Sequence, residues 1–338
     1  MPKVTVLMPT YNVAPYVKEA VESVLRQSYA DFELLVIDDC SSDGTLDVVR
    51  TIDDSRIRIV KNESNLGLAD NLNRGLGLIN TEYVARMDGD DIAEPDWLEK
   101  EVAVLDNHPE IGICGGGFER FGAVSTVVRL PEQPDEIMAN MLFECSIIVP
   151  TFRMSLYHDY GLRYRSDAFP AEDYRFWADC LRVTKAYNVQ DTLFHYRMHP
   201  KQICTSLSNI QKGKVEEVRR YMLDLLGTHL TEEDNNYFLK IFIDGKIIDK
   251  YDWNQRKTFA RRLVALNQDE HHFDEKALRN CLHRHLKVQL YNTVLDQYFK
   301  KRYTLPAYFK YLSSGLALRT LPRLEAKMLT KSLLGYKL

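Results

Sequence analysis

The chain has 338 residues, enough for about two domains, and its 45% hydrophobic and 27% charged residues exclude a largely disordered or fibrous protein. Six scattered cysteines without a C-x-x-C pair exclude a zinc ribbon, a thioredoxin motif and a disulfide scaffold, and favour a reducing cytosol. The net charge of −4 conceals an asymmetry: residues 300–338 hold nine basic residues against the single acid Glu325, a net of +8, so the first 299 carry −12.

No run of 18 apolar residues is present, so no membrane-spanning helix is expected. Val4–Met8 is too short for a signal peptide and is interrupted by Pro9, so it reads as a buried strand. Val17, Ala20, Val21, Val24 and Leu25 recur at helical spacing. Phe32–Ile37 is a second strand, closed by the turn chemistry of Asp38, Asp39, Ser41, Ser42, Asp43 and Gly44. A helix from Thr45, a strand Ile57–Val60, a helix carrying Leu68, Leu72 and Leu76, and a strand Tyr83–Met87 follow. Strands alternating with helices predict an α/β fold, a mixed but mainly parallel sheet flanked by helices. Ligands bind such sheets at the carboxyl ends of the strands. Here those ends carry Pro9-Thr10-Tyr11-Asn12, Asp38-Asp39 and Asp88-Gly89-Asp90-Asp91. After residue 205 the pattern becomes helical, over Lys212–Leu226, Glu232–Ile243, Gln255–Leu266 and Asp274–Tyr298. The expected division is an α/β domain over 1–205, a helical appendage over 206–299 and a basic tail over 300–338.

Asp88 and Asp90, separated by one glycine at a strand end, can both face one hard cation such as Mn2+ or Mg2+. A solvated acidic turn is the simpler reading of that motif alone. No phosphate-binding glycine loop of the P-loop or dinucleotide kind is present. A bound nucleotide would therefore rely on metal at its diphosphate, with Tyr11 stacking on the base and Asp39 accepting from it. Glu172-Asp173 opens a helix, where a carboxylate commonly caps or complements the dipole; the alternative is a general base near the metal. In Tyr196-Arg197-Met198-His199, His199 could complete a metal shell, or Arg197 could neutralise phosphate.

Seven segments, Thr5–Asn12, Ser23–Ser28, Val36–Thr45, Asn65–Ala69, Ala85–Asp91, Ala171–Tyr174 and Tyr196–His199, together resemble the family-2 glycosyltransferases in order and spacing. That resemblance implies a GT-A fold over residues 1–205. It implies that Pro9, Tyr11 and Asp39 hold the uracil and ribose of a UDP-sugar. Asp88 and Asp90 match the D-x-D pair that binds Mn2+ or Mg2+, with Asp88 also at the nucleotide, and Asp173 matches the catalytic base. His199 lies where a late metal or phosphate contact is found, and Asn65, Gly67 and Arg86 are expected to shape the nucleotide pocket. Gly89 stands where alanine is usual, a change expected to leave metal binding intact. Within the family, Glu82–Lys100, Gly161–Tyr164, Ala171–Trp177 and Tyr196–Gln202 are similar to lipooligosaccharide β-1,3-N-acetylglucosaminyltransferases of neisserial type. This implies inverting transfer of GlcNAc from UDP-GlcNAc to a galactose-ended glycan or glycolipid acceptor. UDP-Gal, UDP-GalNAc or UDP-Glc, in capsule or exopolysaccharide synthesis, remain open alternatives.

A nucleotidyltransferase would need a glycine- and lysine-rich loop after the first strand, which Pro9–Asn12 is not. A non-catalytic subunit is disfavoured by intact Asp88, Asp90 and Asp173. In the tail, Tyr308, Tyr311, Leu312, Leu316, Leu318, Leu321 and Leu324 interleave with Lys and Arg, as at a lipid interface. With an acidic remainder and no nucleic-acid motif, an anionic membrane surface is the expected partner, and nucleic acid is not. The expected location is the cytoplasm, peripheral to the inner face of the cell membrane.

Overall fold

The computed structural model describes residues 1–122, 125–199, 207–227, 230–247, 249–300, 302–317 and 319–334. The apolar run at the start forms β1 (Val4–Thr10), wholly buried, and the helical spacing that follows forms α1 (Val17–Leu25), which turns Val17, Ala20, Val21 and Val24 inward. Next come β2 (Phe32–Asp38), α2 (Thr45–Arg50), β3 (Ile57–Lys61), α3 (Leu68–Leu76) and β4 (Tyr83–Arg86). Then follow β5 (Ile92–Ala93), α4 (Trp97–Asn107), β6 (Ile111–Gly122), β7 (Thr126–Val128), α5 (Pro134–Asn140) and β8 (Thr151–Arg153). Helices α6 (Ser155–His158) and α7 (Glu172–Cys180) and the long strand β9 (Lys185–Met198) complete the series.

Among the described residues the sheet runs β3-β2-β1-β4-β8-β6-β9-β5, with β7 paired to β6. The first four strands are mutually parallel, and the register sets Thr10 beside Asp38 and Leu7 beside Arg86. β8 runs antiparallel to β4 and β6, so the sheet is mixed, as the alternating pattern predicts. Parallel strands need both faces covered, which is why β1 and β2 are nearly continuous apolar runs. α3 packs so closely on β1 that a Cβ at Gly75 would lie 2.5 Å from Leu7 Cδ1.

The chain divides into two compact units, Met1–Val218 and Arg219–Leu338. The boundary expected between 205 and 206 falls outside the described residues, as do Lys301, Leu318 and Lys337 of the tail. The division itself falls within α8 (Ser208–Asp224). The second unit holds α9 (Glu232–Asn236), which continues as a π-helical stretch Tyr237–Ile243, then α10 (Lys250–Glu270) and α11 (Glu275–Val294), α12 (Leu305–Leu312) and α13 (Pro322–Leu333). Its core gathers Phe238, Phe242, Leu263, Leu282, Leu286 and Leu290. The buried Arg256 pairs with Asp252 at 2.8 Å and donates to the carbonyls of Ile241, Gly245 and Lys246, satisfying groups left over where the π-helical stretch ends. The tail differs from the single amphipathic surface read from sequence. Tyr308, Tyr311 and Leu316 are buried, because α12 and α13 pack on each other and use those side chains as core. Among the described residues no helix is long and apolar enough to cross a membrane.

Candidate functional site

The ends of β1 and β2 are tied together before any ligand arrives. Asn12 Oδ1 accepts from the Ser42 amide at 2.9 Å, and the Asn12 amide donates to Ser41 Oγ at 3.0 Å. Pro9 is buried at the end of β1, whereas Tyr11, just beyond it, is 51% exposed, an aromatic face open to solvent. Asp39 is buried and fully employed. Its Oδ1 accepts from Asn62 Nδ2 at 2.7 Å and the Leu66 amide at 2.8 Å, and its Oδ2 accepts from the Gly67 amide at 2.9 Å. Asn65 lies over the same turn, its Nδ2 3.4 Å from the Asp39 carbonyl. Asp39, Asn65 and Gly67 therefore form one unit, in which Gly67 (φ +84°, ψ 158°) takes a backbone region open essentially to glycine alone.

Sequence reasoning missed what holds that unit. Asn62 also donates to Asn71 Oδ1 at 2.8 Å and accepts from Arg74 Nη1 at 2.5 Å. The available signal was Asn71 on the otherwise apolar inner face of α3.

Asp88 and Asp90 leave the end of β4 as expected. Asp88 is about one-third exposed and takes both its contacts from Arg86 Nη2, at 3.2 and 3.3 Å. Asp90 Oδ2 lies 3.0 Å from His199 Nε2, whose ring rests on Tyr16 at a centroid distance of 4.7 Å. Gly89 is packed against the β1 loop: a Cβ there would come within 2.9 Å of Thr10 Cγ2, so this loop sits closer than an alanine would allow without a shift. Asp91 turns inward and accepts from the Arg197 amide at 2.8 Å. Burial, followed by repulsion from Asp88, pushes the Asp90 carboxyl above the ordinary range; burial and the charges of Asp90 and Asp88 push Asp91 well above it.

Arg197 does not stand ready for phosphate. It donates to the Asp90 carbonyl at 2.7 Å and to Glu19 at 2.6 Å, and it lies over the rings of Phe121 and Tyr16. It anchors the acidic loop from behind. Among the described residues no three His, Cys, Asp or Glu side chains gather into a ready metal shell. Asp90 and His199 meet at 3.0 Å and Asp88 stands two residues from Asp90, so these are the residues that could hold Mn2+ or Mg2+ if the Asp88 side chain turned to the ion.

Asp173 and Glu172 open α7 just after the N-cap Ala171, and Asp173 Oδ1 accepts from the Tyr174 amide at 2.6 Å. Glu172 is buried, with Oε2 lacking any partner. Burial first, and then the Asp173 charge, raises Glu172 to about 7. Burial also raises Asp173, while Arg86 pulls it back toward the ionised form. Burial works against the Arg86 charge, but Asp88, Asp173 and Glu172 outweigh it and hold the guanidinium protonated. Arg86 thus joins the acidic loop of β4 to the start of α7, a role beyond the pocket-shaping position expected of it. The segment leading to α7 is fixed by Tyr164, which exchanges hydrogen bonds with Asn73 at 2.8 and 2.9 Å and stacks on Phe176 at 4.1 Å.

Residues 5–163 match the family described as Glycosyl transferase family 2. An uncharacterised glycosyltransferase of Haemophilus influenzae is 33% identical over 264 residues, covering 73% of this chain and 78% of that protein. The Escherichia coli UDP-Glc:α-D-GlcNAc-diphosphoundecaprenol β-1,3-glucosyltransferase WfgD is 30% identical, covering 66% of this chain and 85% of its own. Among solved structures, residues 1–349 of Staphylococcus aureus TarS in complex with UDP-GlcNAc superpose with a TM-score of 0.59 at 19% identity, covering 83% of this chain and 90% of that one. The fold is GT-A.

Proposed function

Because the chain belongs to glycosyl transferase family 2, we propose that this glycosyltransferase moves GlcNAc from UDP-GlcNAc, with inversion, onto a galactose-ended acceptor of a bacterial surface glycan such as lipooligosaccharide, in β-1,3 linkage. The observation that supports this reading is Arg86, which pairs with Asp88 and whose charge also acts on Asp173, linking an acidic loop of metal-binding type to a carboxylate suited to taking a proton. The kinship to WfgD, a β-1,3-transferase to a lipid-linked sugar, supports the linkage and a membrane-borne acceptor; its UDP-Glc donor keeps UDP-Glc as the second reading. UDP-Gal and UDP-GalNAc fit the same chemistry.

In this mechanism Tyr11 offers its exposed ring to the uracil beside Pro9, and the Asp39–Gly67 unit presents a rigid edge to the nucleoside. The carboxylates of Asp88 and Asp90, with His199 beside them, would hold Mn2+ or Mg2+, which when bound neutralises charge on the departing diphosphate. Asp173 takes the proton of the acceptor hydroxyl as its oxygen bonds to the anomeric carbon and the bond to diphosphate breaks on the opposite face. One such displacement turns an α-linked donor into a β-glycoside. Burial raises the proton affinity of Asp173, which strengthens it as a base, and the Arg86 charge favours its ionised form. The enzyme works at the cytoplasmic face of the cell membrane.

The test is a donor screen of the purified chain with Mn2+, a panel of UDP-sugars and a lactose-terminated acceptor, read by mass spectrometry. A gain of one N-acetylhexosamine from UDP-GlcNAc, abolished by EDTA, is expected. Transfer of another sugar corrects the donor alone. Absence of both transfer and UDP release with every donor would overturn the reading.

A further inference from the structure

We propose that α12 and α13 seat the second unit on an anionic lipid surface through an apolar ridge of which the sequence pattern identified only Leu312. The inference extends the proposed membrane-borne acceptor, but its test is independent of transfer.

Among the described residues sixteen large apolar side chains are exposed, and six of them fall within residues 305–334: Leu305, Phe309, Leu312, Leu329, Leu333 and Leu334. The first three recur at spacings of four and three along one side of α12. Phe309 and Leu333 are each 63% exposed. These are not the residues that stabilise the unit, since Tyr308, Tyr311 and Met328 face inward and already supply its core. Exposed apolar side chains scattered singly need no explanation, but this concentration on two packed helices does.

The charge around the ridge identifies what covers it. Lys310, Arg323 and Lys327 are exposed on the same two helices. Glu325, the sole acidic side chain of residues 300–338, is buried and accepts hydrogen bonds from the Tyr311 hydroxyl and, at 2.6 Å, from Thr320 Oγ1. The one negative side chain is therefore spent inside, and the exposed side chains of these helices include cations and apolar groups but no carboxylate. A nucleic acid would meet the cations but leave Phe309, Leu333 and Leu334 in water. A bilayer with anionic headgroups meets both, because the phosphates face the Lys and Arg while the ridge enters the acyl boundary.

The experiment is co-sedimentation of the full chain with phosphatidylcholine vesicles, with and without phosphatidylglycerol, alongside two variants, Phe309→Glu/Leu333→Glu and Lys310→Glu/Arg323→Glu/Lys327→Glu. All five positions are exposed, and thermal melts confirm that the variants fold. Binding only to the anionic vesicles is expected, with a loss of at least about a hundredfold in the triple charge variant and of at least about tenfold in the apolar one. UDP-sugar turnover on a soluble acceptor stays unchanged in both. Absence of vesicle binding by the parent chain, equal binding by all three proteins, or retention on duplex nucleic acid in place of vesicles would each overturn the proposal.

Discussion

Glu172→Gln isolates one buried charge. In the folded protein Glu172 titrates at about 7, against an ordinary 4.5, so the folded state holds a proton that the unfolded state has already released between those pH values. A group raised in this way contributes stability that is fully present below 4.5 and is lost as pH rises through about 7. The difference amounts to roughly 3 kcal/mol, at about 1.4 kcal/mol per tenfold change in proton affinity. For a unit the size of Met1–Val218 that corresponds to roughly 6–12 °C in melting temperature. Glutamine cannot ionise, so the variant lacks this loss. Its amide adds a pH-independent cost, because Oε2 has no partner in the parent and the amide nitrogen would have none there either. The diagnostic is therefore the slope and not the level. Thermal melts of both proteins from acidic to mildly alkaline pH should converge or favour the parent below 4.5, and the variant should gain on it by that interval above 7. Titration of Asp90 and Asp91 occurs in both proteins and cancels. Parallel curves would refute the argument that Glu172 is buried with a raised proton affinity.

Asp173→Asn should lower transfer by about 10²–10⁴ while UDP binding, measured by calorimetry, is retained; near-normal turnover would remove Asp173 as the base. Gly67→Ala should cost about 1–3 kcal/mol, because alanine resists φ +84° with ψ 158°. It should also weaken UDP binding, since the Gly67 amide would no longer point at Asp39; unchanged melting and UDP affinity would show the turn to be adaptable.

Much of the first unit was legible from local pattern. The apolar runs at Val4 and Phe32 and the spacing of Leu68, Leu72 and Leu76 each match an observed element, because burial on a parallel sheet demands continuous apolar strands and one-sided helices. The polar strand ends at Asp38 and Asp88 were equally visible, since turn chemistry is local. The use made of Asp39 was not. Its partners Asn62, Leu66 and Gly67 lie 23 to 28 residues away in sequence, and hydrogen bonds across that separation leave no periodic trace. Phosphate neutralisation was one open reading of Arg197, and its neighbours Glu19 and Asp90, 178 and 107 residues distant, instead engage it within the protein.

The sequence by itself determined the family, the α/β order and the list of carboxylates, because those depend on residue type and short spacing. Only the tertiary structure decided which charges share a dielectric. Arg86 meets Asp88, two residues on, but also senses Glu172 and Asp173, which α7 brings to it from the far side of the sheet sequence. It likewise decided the tail, where composition showed aromatic and basic residues together but not which faced inward. Helix packing placed Tyr308 and Tyr311 in the core and left Phe309 outside, because adjacent positions on a helix point some 100° apart and a single neighbouring helix selects between them.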